Sequence, residues 1–224
     1  MCAKVNIEQI LNNVDEYYSA KVQTYGASPQ GVDWNSMESQ NLRFKQILKV
    51  CEGNSGLHHS ILDYGCGYGA MADFILANRY QLEYEGLDIS AEMIRVARLC
   101  HPTMDPNRFH LGPVEGIKAD YVVASGIFNV KQGCSENTWQ EYIVNTIEKM
   151  ASMSRLGFSY NILTSWSDEE RKRSDLHNAD HCWHFDWCKR TFSRQVSLLH
   201  DYGLYEFTIL VKYDKPNDTN GASK

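Results

Sequence analysis

The stretch I-L-D-Y-G-C-G-Y-G at 61–69, followed by Y-E-G-L-D-I-S at 84–90, is where residue types and spacing bear most directly on chemistry. A short apolar strand, Ile61-Leu62-Asp63, runs into a turn with glycine at 65, 67 and 69, and a helical segment with Met71, Phe74 and Ile75 follows. Strand, glycine turn and helix in that order bring backbone N–H groups up to a ligand, because glycine has no side chain to hold it away. Asp88 closes the next strand, 19 positions after Gly69. A carboxylate there can accept hydrogen bonds from both hydroxyls of a ribose. The pair implies an adenosine-bearing cofactor.

Other residues offer chemistry of a different kind. His177, His181 and His184 lie in S-D-L-H-N-A-D-H-C-W-H-F-D-W-C, and a neutral imidazole suits proton removal near pH 7. Cys182 and Cys188 share that stretch, but the spacing matches no standard structural zinc site, so no metal is expected. Arg171-Lys172-Arg173 after Asp168-Glu169-Glu170 reads as a solvated face of mixed charge, or as a contact to an anionic substrate. Arg43 could serve in the same way.

The elements that must position these residues alternate from residue 60 onward, which predicts an α/β layer architecture. Glu83–Asp88 is the second strand, and Ser90 then caps a helix carrying Met93, Ile94, Ala97 and Cys100 that Pro102 ends. Arg108–Leu111 is a weak third strand and Ala119–Ser125 a strong fourth, with too few residues between them for a crossover helix. Ser125-Gly126-Ile127-Phe128-Asn129 follows at the carboxyl edge of the sheet, where open α/β proteins bind ligands. Trp139, Tyr142, Ile143, Thr146, Ile147 and Met150 form the clearest helical pattern, and Gly157–Leu163 is the fifth strand. Phe192–Tyr202 reads as the last helix, closed by Gly203, and Leu204–Tyr213 as a final strand. Two regions stand outside the alternation. Residues 1–59 offer two amphipathic helices, one with Ile7, Ile10, Leu11, Val14 and Tyr18, the other with Leu42, Phe44, Ile47, Leu48 and Cys51. Thr164–Arg190 is longer than a connection needs. Both are expected to act as lids.

The turn has the form acidic-x-G-x-G-x-G, with Asp63 two residues before Gly65, and not the G-x-G-x-x-G of a pyrophosphate cradle. With G-L-D-I-S it resembles the class I S-adenosylmethionine (SAM)-dependent methyltransferase family over roughly residues 60–213. The resemblance implies a Rossmann-like, doubly wound, mostly parallel sheet of central order 3-2-1-4-5, with the N-terminal helices as a cap. It implies that Asp63 organises the amino group of the methionine moiety, while Gly65, Cys66 and Gly67 allow close backbone approach. Tyr68 and Gly69 would flank the methionine end, and Tyr64, Ser125 and Gly126 would border the same site. Asp88 would hold the ribose, Ile89 would pack on the adenine and Met93 would line the pocket. Glu115 or a backbone group is left for the adenine amino group. One strong strand follows the expected last helix, which leaves the family's usual seventh strand open.

The same resemblance implies methyl transfer from SAM, with release of S-adenosylhomocysteine, to an oxygen or nitrogen of a small-molecule acceptor. Aromatic rings can face a sulfonium favourably, and Tyr17, Tyr18, Tyr25, Trp34 and Phe128 are candidates. Asn129 and Arg43 join them as acceptor-side residues, and His177, His181 and His184 as possible bases. The Asp/Asn-Pro-Pro-aromatic motif of enzymes acting on nucleic-acid amines is absent after the fourth strand. Two alternatives stay open: a SAM-binding partner protein without turnover, and a nucleotide-dependent oxidoreductase, against which the glycine spacing and Asp63 argue.

Composition sets the outer limits. The 224 residues are 43% apolar and 22% charged, and 22 Lys and Arg against 28 Asp and Glu give a net charge of -6. A globular chain with no basic block is expected, not a binder of phosphate backbones. No apolar run reaches the roughly 18 residues of a membrane span, and the N-terminus lacks the features of a secretory signal. Seven scattered cysteines read as reduced thiols, so a cytoplasmic location is expected. One domain is expected throughout: a helical cap at 1–59, the SAM-binding core at 60–213 and a flexible tail at 214–224.

Overall fold

Period-two burial along the strands divides the core between the two faces of a sheet. In β1 (His59–Tyr64) Ile61 and Leu62 belong to opposite clusters, and in β4 (Ala119–Ala124) Tyr121 and Val123 alternate with Val122 and Ala124. The computed structural model describes residues 7–53, 58–114, 116–131 and 133–214. Within them β2 (Leu82–Asp88), β3 (Phe109–Leu111), β5 (Ser154–Leu163), β6 (Gln195–Leu199) and β7 (Glu206–Lys212) complete a seven-stranded sheet of order β3-β2-β1-β4-β5-β7-β6. Strands β1 to β5 run parallel, and β7 runs antiparallel to both β5 and β6. This is the expected Rossmann-like, mostly parallel arrangement. Its order reverses direction between β1 and β4, which opens a crevice at the strands' carboxyl ends.

Helices cover both faces. On one side α5 (Glu136–Met153) buries Trp139, Tyr142, Ile143, Ile147 and Met150, joined by Ile10 of α1 (Ile7–Tyr25) and Cys188 of α6 (His181–Thr191). On the other lie Phe44 and Ile47 of α2 (Met37–Ile47), Met71 and Ile75 of α3 (Ala70–Ala77), and Ile94 and Ala97 of α4 (Ala91–Cys100). The side chains of Ser36, Ser90 and Ser135 accept backbone N–H bonds at the starts of α2, α4 and α5, each contributing about 1 kcal/mol. No helix occurs among the described residues between β3 and β4, as their spacing requires.

The C-terminal third departs from expectation. Phe192–Tyr202 is not the last helix: Gln195–Leu199 is strand β6, and this supplies the seventh strand. Phe192, Val196 and Leu199 also fit a helical period, but Val196 and Leu198 pack on one core cluster while Leu199 packs on the other, which is strand alternation. Ser193 fixes the entry, its hydroxyl donating to Lys212 O at 2.6 Å and accepting Gln195 N–H at 3.0 Å. The last helix is α6, inside the supposed lid. Asp180 caps it by accepting from Cys182 and Trp183 N–H at 2.9 and 3.2 Å. No described helix is long and apolar enough to cross a membrane.

Candidate functional site

At the carboxyl end of β1 the chain turns through Gly65, and its N–H donates to Leu87 O at 2.7 Å, tying the turn to β2. Gly67 has φ of +54°, a left-handed value that disfavours other residues, and its N–H donates to Asp88 Oδ2 at 2.8 Å. The other oxygen of Asp88 accepts Ser90 N–H at 2.9 Å. Glycine turn and acidic partner therefore form one hydrogen-bonded unit. Burial raises the pKa of Asp88, the backbone bonds from Ser90 and Gly67 oppose that rise, and the charge of Asp15 adds to it.

The unit floors a cavity that also receives Tyr64, Cys66, Tyr68, Ala70, Leu87, Ile89, Ser90 and Met93. Ser125, Gly126 and Ile127 after β4, with Tyr142 of α5, form a second wall. Gly112 borders it after β3, and the N-terminal segment supplies Leu11, Val14, Asp15 and Tyr18 of α1, Val32 and Trp34 of the connection, and Gln40 and Phe44 of α2. Asp63 lies at the base of the cavity, 3% exposed, and its Oδ2 accepts the Tyr84 hydroxyl at 3.0 Å. Burial pushes its carboxyl up to about 7, with the charge of Asp88 adding and the Tyr84 bond opposing. A cationic group placed beside it would return it to the ionised form.

Three carboxylates, Asp15, Asp63 and Asp88, thus border one volume that no described Lys, Arg or His lines. Such a cavity suits a ligand with ammonium, sulfonium or hydroxyl groups and opposes a pyrophosphate. The residues present fit SAM: a carboxylate at the base for its amino group, a carboxylate at the end of β2 for its ribose, and glycine amides between. That electrostatic argument counts against a nicotinamide dinucleotide.

Of the residues singled out in the sequence, Asp63, Tyr64, Gly65, Cys66, Gly67, Tyr68, Asp88, Ile89, Met93, Ser125, Gly126, Tyr18 and Trp34 meet at this cavity. Gly69 sits behind it, where an added Cβ would come within 2.8 Å of His101. Glu115 lies outside the described residues, as do 215–224 of the expected tail.

Several others do not reach the cavity. Tyr17 donates to Asp33, which also binds Lys21 at 2.7 Å, and Tyr25 is exposed. Phe128 is fully buried against Tyr142 and Tyr160. Asn129 accepts Leu163 N–H at 3.2 Å and His177 N–H at 2.8 Å. Arg43 pairs with Glu206. The three histidines lie apart from the cavity as well: α6, which carries His181 and His184, packs over β6 and β7, and His177 precedes it beside α5. His177 Nδ1 is 2.8 Å from Glu136, and burial lowers its pKa. His181 lies among Trp166, His200 and Phe207. His184 Nδ1 is 3.1 Å from the Tyr160 hydroxyl, and burial pushes its imidazole down to about 3. No described residue of the Thr164–Arg190 stretch lines the cavity, so the stretch is not a lid over it. No three described His, Cys, Asp or Glu side chains gather as metal ligands.

Sequence reasoning passed over Asp15, Gln40, Phe44 and Tyr142 as site residues. A signal existed for the first: Leu11, Val14, Asp15 and Tyr18 follow the i, i+3, i+4, i+7 rule, so Asp15 is a charge within an apolar stripe. Its Oδ1 accepts the Ser19 hydroxyl at 2.8 Å, and Ser19 meets Ser90 at 2.7 Å, joining the helix to the start of α4.

Residues 62–151 match the family described as "Methyltransferase domain". The methyltransferase-family protein Rv1506c of Mycobacterium tuberculosis is 48% identical over 153 residues, 68% of this chain and 92% of its own. Magnesium protoporphyrin IX methyltransferase from Synechocystis PCC 6803, solved with bound SAM, superposes with a TM-score of 0.60 at 12% identity, over 96% of this chain and 100% of that one. The PH0226 protein of Pyrococcus horikoshii OT3 gives 0.55 at 17% identity, over 89% and 99%.

Proposed function

The chain belongs to the class I SAM-dependent methyltransferase family, and from that premise we propose that it methylates an oxygen or nitrogen of a small-molecule metabolite. The observation that carries this reading is the cavity itself, which sheet and N-terminal helices enclose together, with eight lining residues from the helical segment. A roof of that kind admits a small acceptor and excludes water, and in-line displacement on a sulfonium needs little more than alignment in a dry site. Asp63 would orient the amino group of SAM, Asp88 would hold its ribose, and Gly65 to Gly67 would line its chain. Ser125 and Gly126 would border the methionine end of SAM, and Trp34 would border the acceptor. The net charge of -6 and the absent nucleic-acid motif support a metabolite over a phosphate polymer. An amine or ionised hydroxyl that enters with a free lone pair needs no base from the chain, which accords with histidines placed elsewhere.

Calorimetric titration with SAM, S-adenosylhomocysteine, NAD and NADP tests the cofactor, and metabolite extracts incubated with methyl-labelled SAM test the acceptor. Binding of both sulfur ligands and label on a small molecule are expected. Binding of a nicotinamide cofactor alone would overturn the reading, and tight SAM binding with no labelled product would favour a partner protein without turnover.

A further inference from the structure

Helix α2 presents Gln40, Arg43, Phe44 and Ile47 at helical spacing, so Arg43 falls in the stripe that faces the protein. Its guanidinium is buried and makes two contacts at once. One edge donates to Glu206 at the start of β7, from Nε at 2.9 and 2.8 Å and from Nη2 at 2.8 Å. Its face lies 3.9 Å from the centre of the Trp34 ring. From Glu206 the polar chain continues to the far wall of the cavity. Asn161 Nδ2 donates to Glu206 Oε2 at 2.8 Å, and Asn161 Oδ1 accepts Gly126 N–H at 2.8 Å. Trp34 then closes the loop by contact, since a Cβ on Gly126 would come within 2.2 Å of its ring. Two cavity walls from distant parts of the chain are therefore held by one buried pair.

We propose that Arg43 is a positioning residue: anchored by Glu206, it holds the Trp34 ring against Gly126 and so fixes the shape of the cofactor cavity. The inference rests on the methyltransferase reading of that cavity. A buried ion pair adds little stability over apolar residues of similar volume, so its presence here is explained by geometry. Only arginine offers a planar group that binds a carboxylate through one edge while stacking on an indole. Lysine would keep the charge and lose the stack.

The test is calorimetry of SAM binding to wild type, Arg43→Lys, Trp34→Ala and the double variant, with thermal melts of the unliganded proteins. Each single change is expected to weaken SAM about five- to twentyfold. The double variant should bind no more weakly than the worse single one, because Arg43 acts through Trp34. Additive losses, or an Arg43→Lys protein that binds as wild type does, would overturn the proposal. Should Arg43→Lys fail to fold, Glu206→Gln is compared with wild type by the Trp34 contribution to emission, obtained by subtracting Trp34→Phe counterparts. A red shift is expected, and an unchanged spectrum would overturn the proposal. If wild type binds neither SAM nor S-adenosylhomocysteine, the reading of the cavity falls, while the emission comparison still decides the positioning role.

Discussion

The cofactor cavity and the α6 region are both dense in aromatic and titratable side chains, yet physically they are opposites. Around α6, Tyr160, His184, Cys188 and Phe207 pack against one another and are buried. Burial drives His184 down to about 3 and Cys188 up to about 12, so both stay neutral through the physiological range. At the cavity, burial of Asp63 has the reverse consequence, bringing a carboxyl up to about 7, where it titrates. Residue type does not separate the two regions; what separates them is whether polar atoms border a space that a ligand can fill.

The largest effect that can break this comparison is at Asp88. Asp88→Ala should weaken SAM about a hundredfold or more, since its proposed ribose role would lose two charge-assisted bonds together; unchanged affinity in calorimetry would remove the ribose role. His184→Ala in the packed region should cost about 2–4 kcal/mol in urea unfolding and leave SAM affinity unaltered. A binding defect without a stability defect would return that histidine to the site.

Asp63 sharpens the contrast through pH. It releases its proton near pH 7 when folded against an ordinary value of 3.8, so the folded state holds more protons between those limits. The stability cost of ionising it is absent below pH 3.8, grows as pH rises, and is complete above about 7. Asp63→Asn should therefore stabilise the unliganded protein by roughly 2–4 kcal/mol at pH 8, with the gain shrinking towards pH 4, while weakening SAM. In wild type, SAM affinity should rise from pH 6 to pH 8 as the carboxylate forms. A flat profile would mean that Asp63 does not face the amino group.

Asp15 offers the smallest effect. Asp15→Asn removes one of three negative charges from a partly hydrated wall, and should lower the preference for cationic SAM over neutral S-adenosylhomocysteine about two- to fivefold. An unaltered ratio of dissociation constants would confine the electrostatic role to Asp63 and Asp88.

Legibility in the sequence followed locality. The strand, glycine turn and Asp88 could be read because their contacts run between neighbouring strands of a single βαβ unit, and glycine spacing reports backbone conformation directly. The central strand order came from the family resemblance and not from local spacing, since β1 pairs with β4 from a distant part of the chain. The β6 assignment failed where one set of apolar residues satisfied two periods, and only pairing with β7 chose between them, whereas α6 was missed because its His- and Trp-rich stretch read as a lid. The histidines misled because an imidazole in a polar stretch looks the same whether it faces solvent, substrate or core.

By itself, then, the sequence determined the glycine turn and its acidic partner, from Asp63 to Gly67 and at Asp88, since short-range backbone geometry builds them. Tertiary structure alone decided which distant side chains complete the site. Asp15 enters through the face of α1, and Arg43 joins Glu206 across 163 positions of chain. Such pairs depend on how helices lie on the sheet, and that is settled by packing of the whole core.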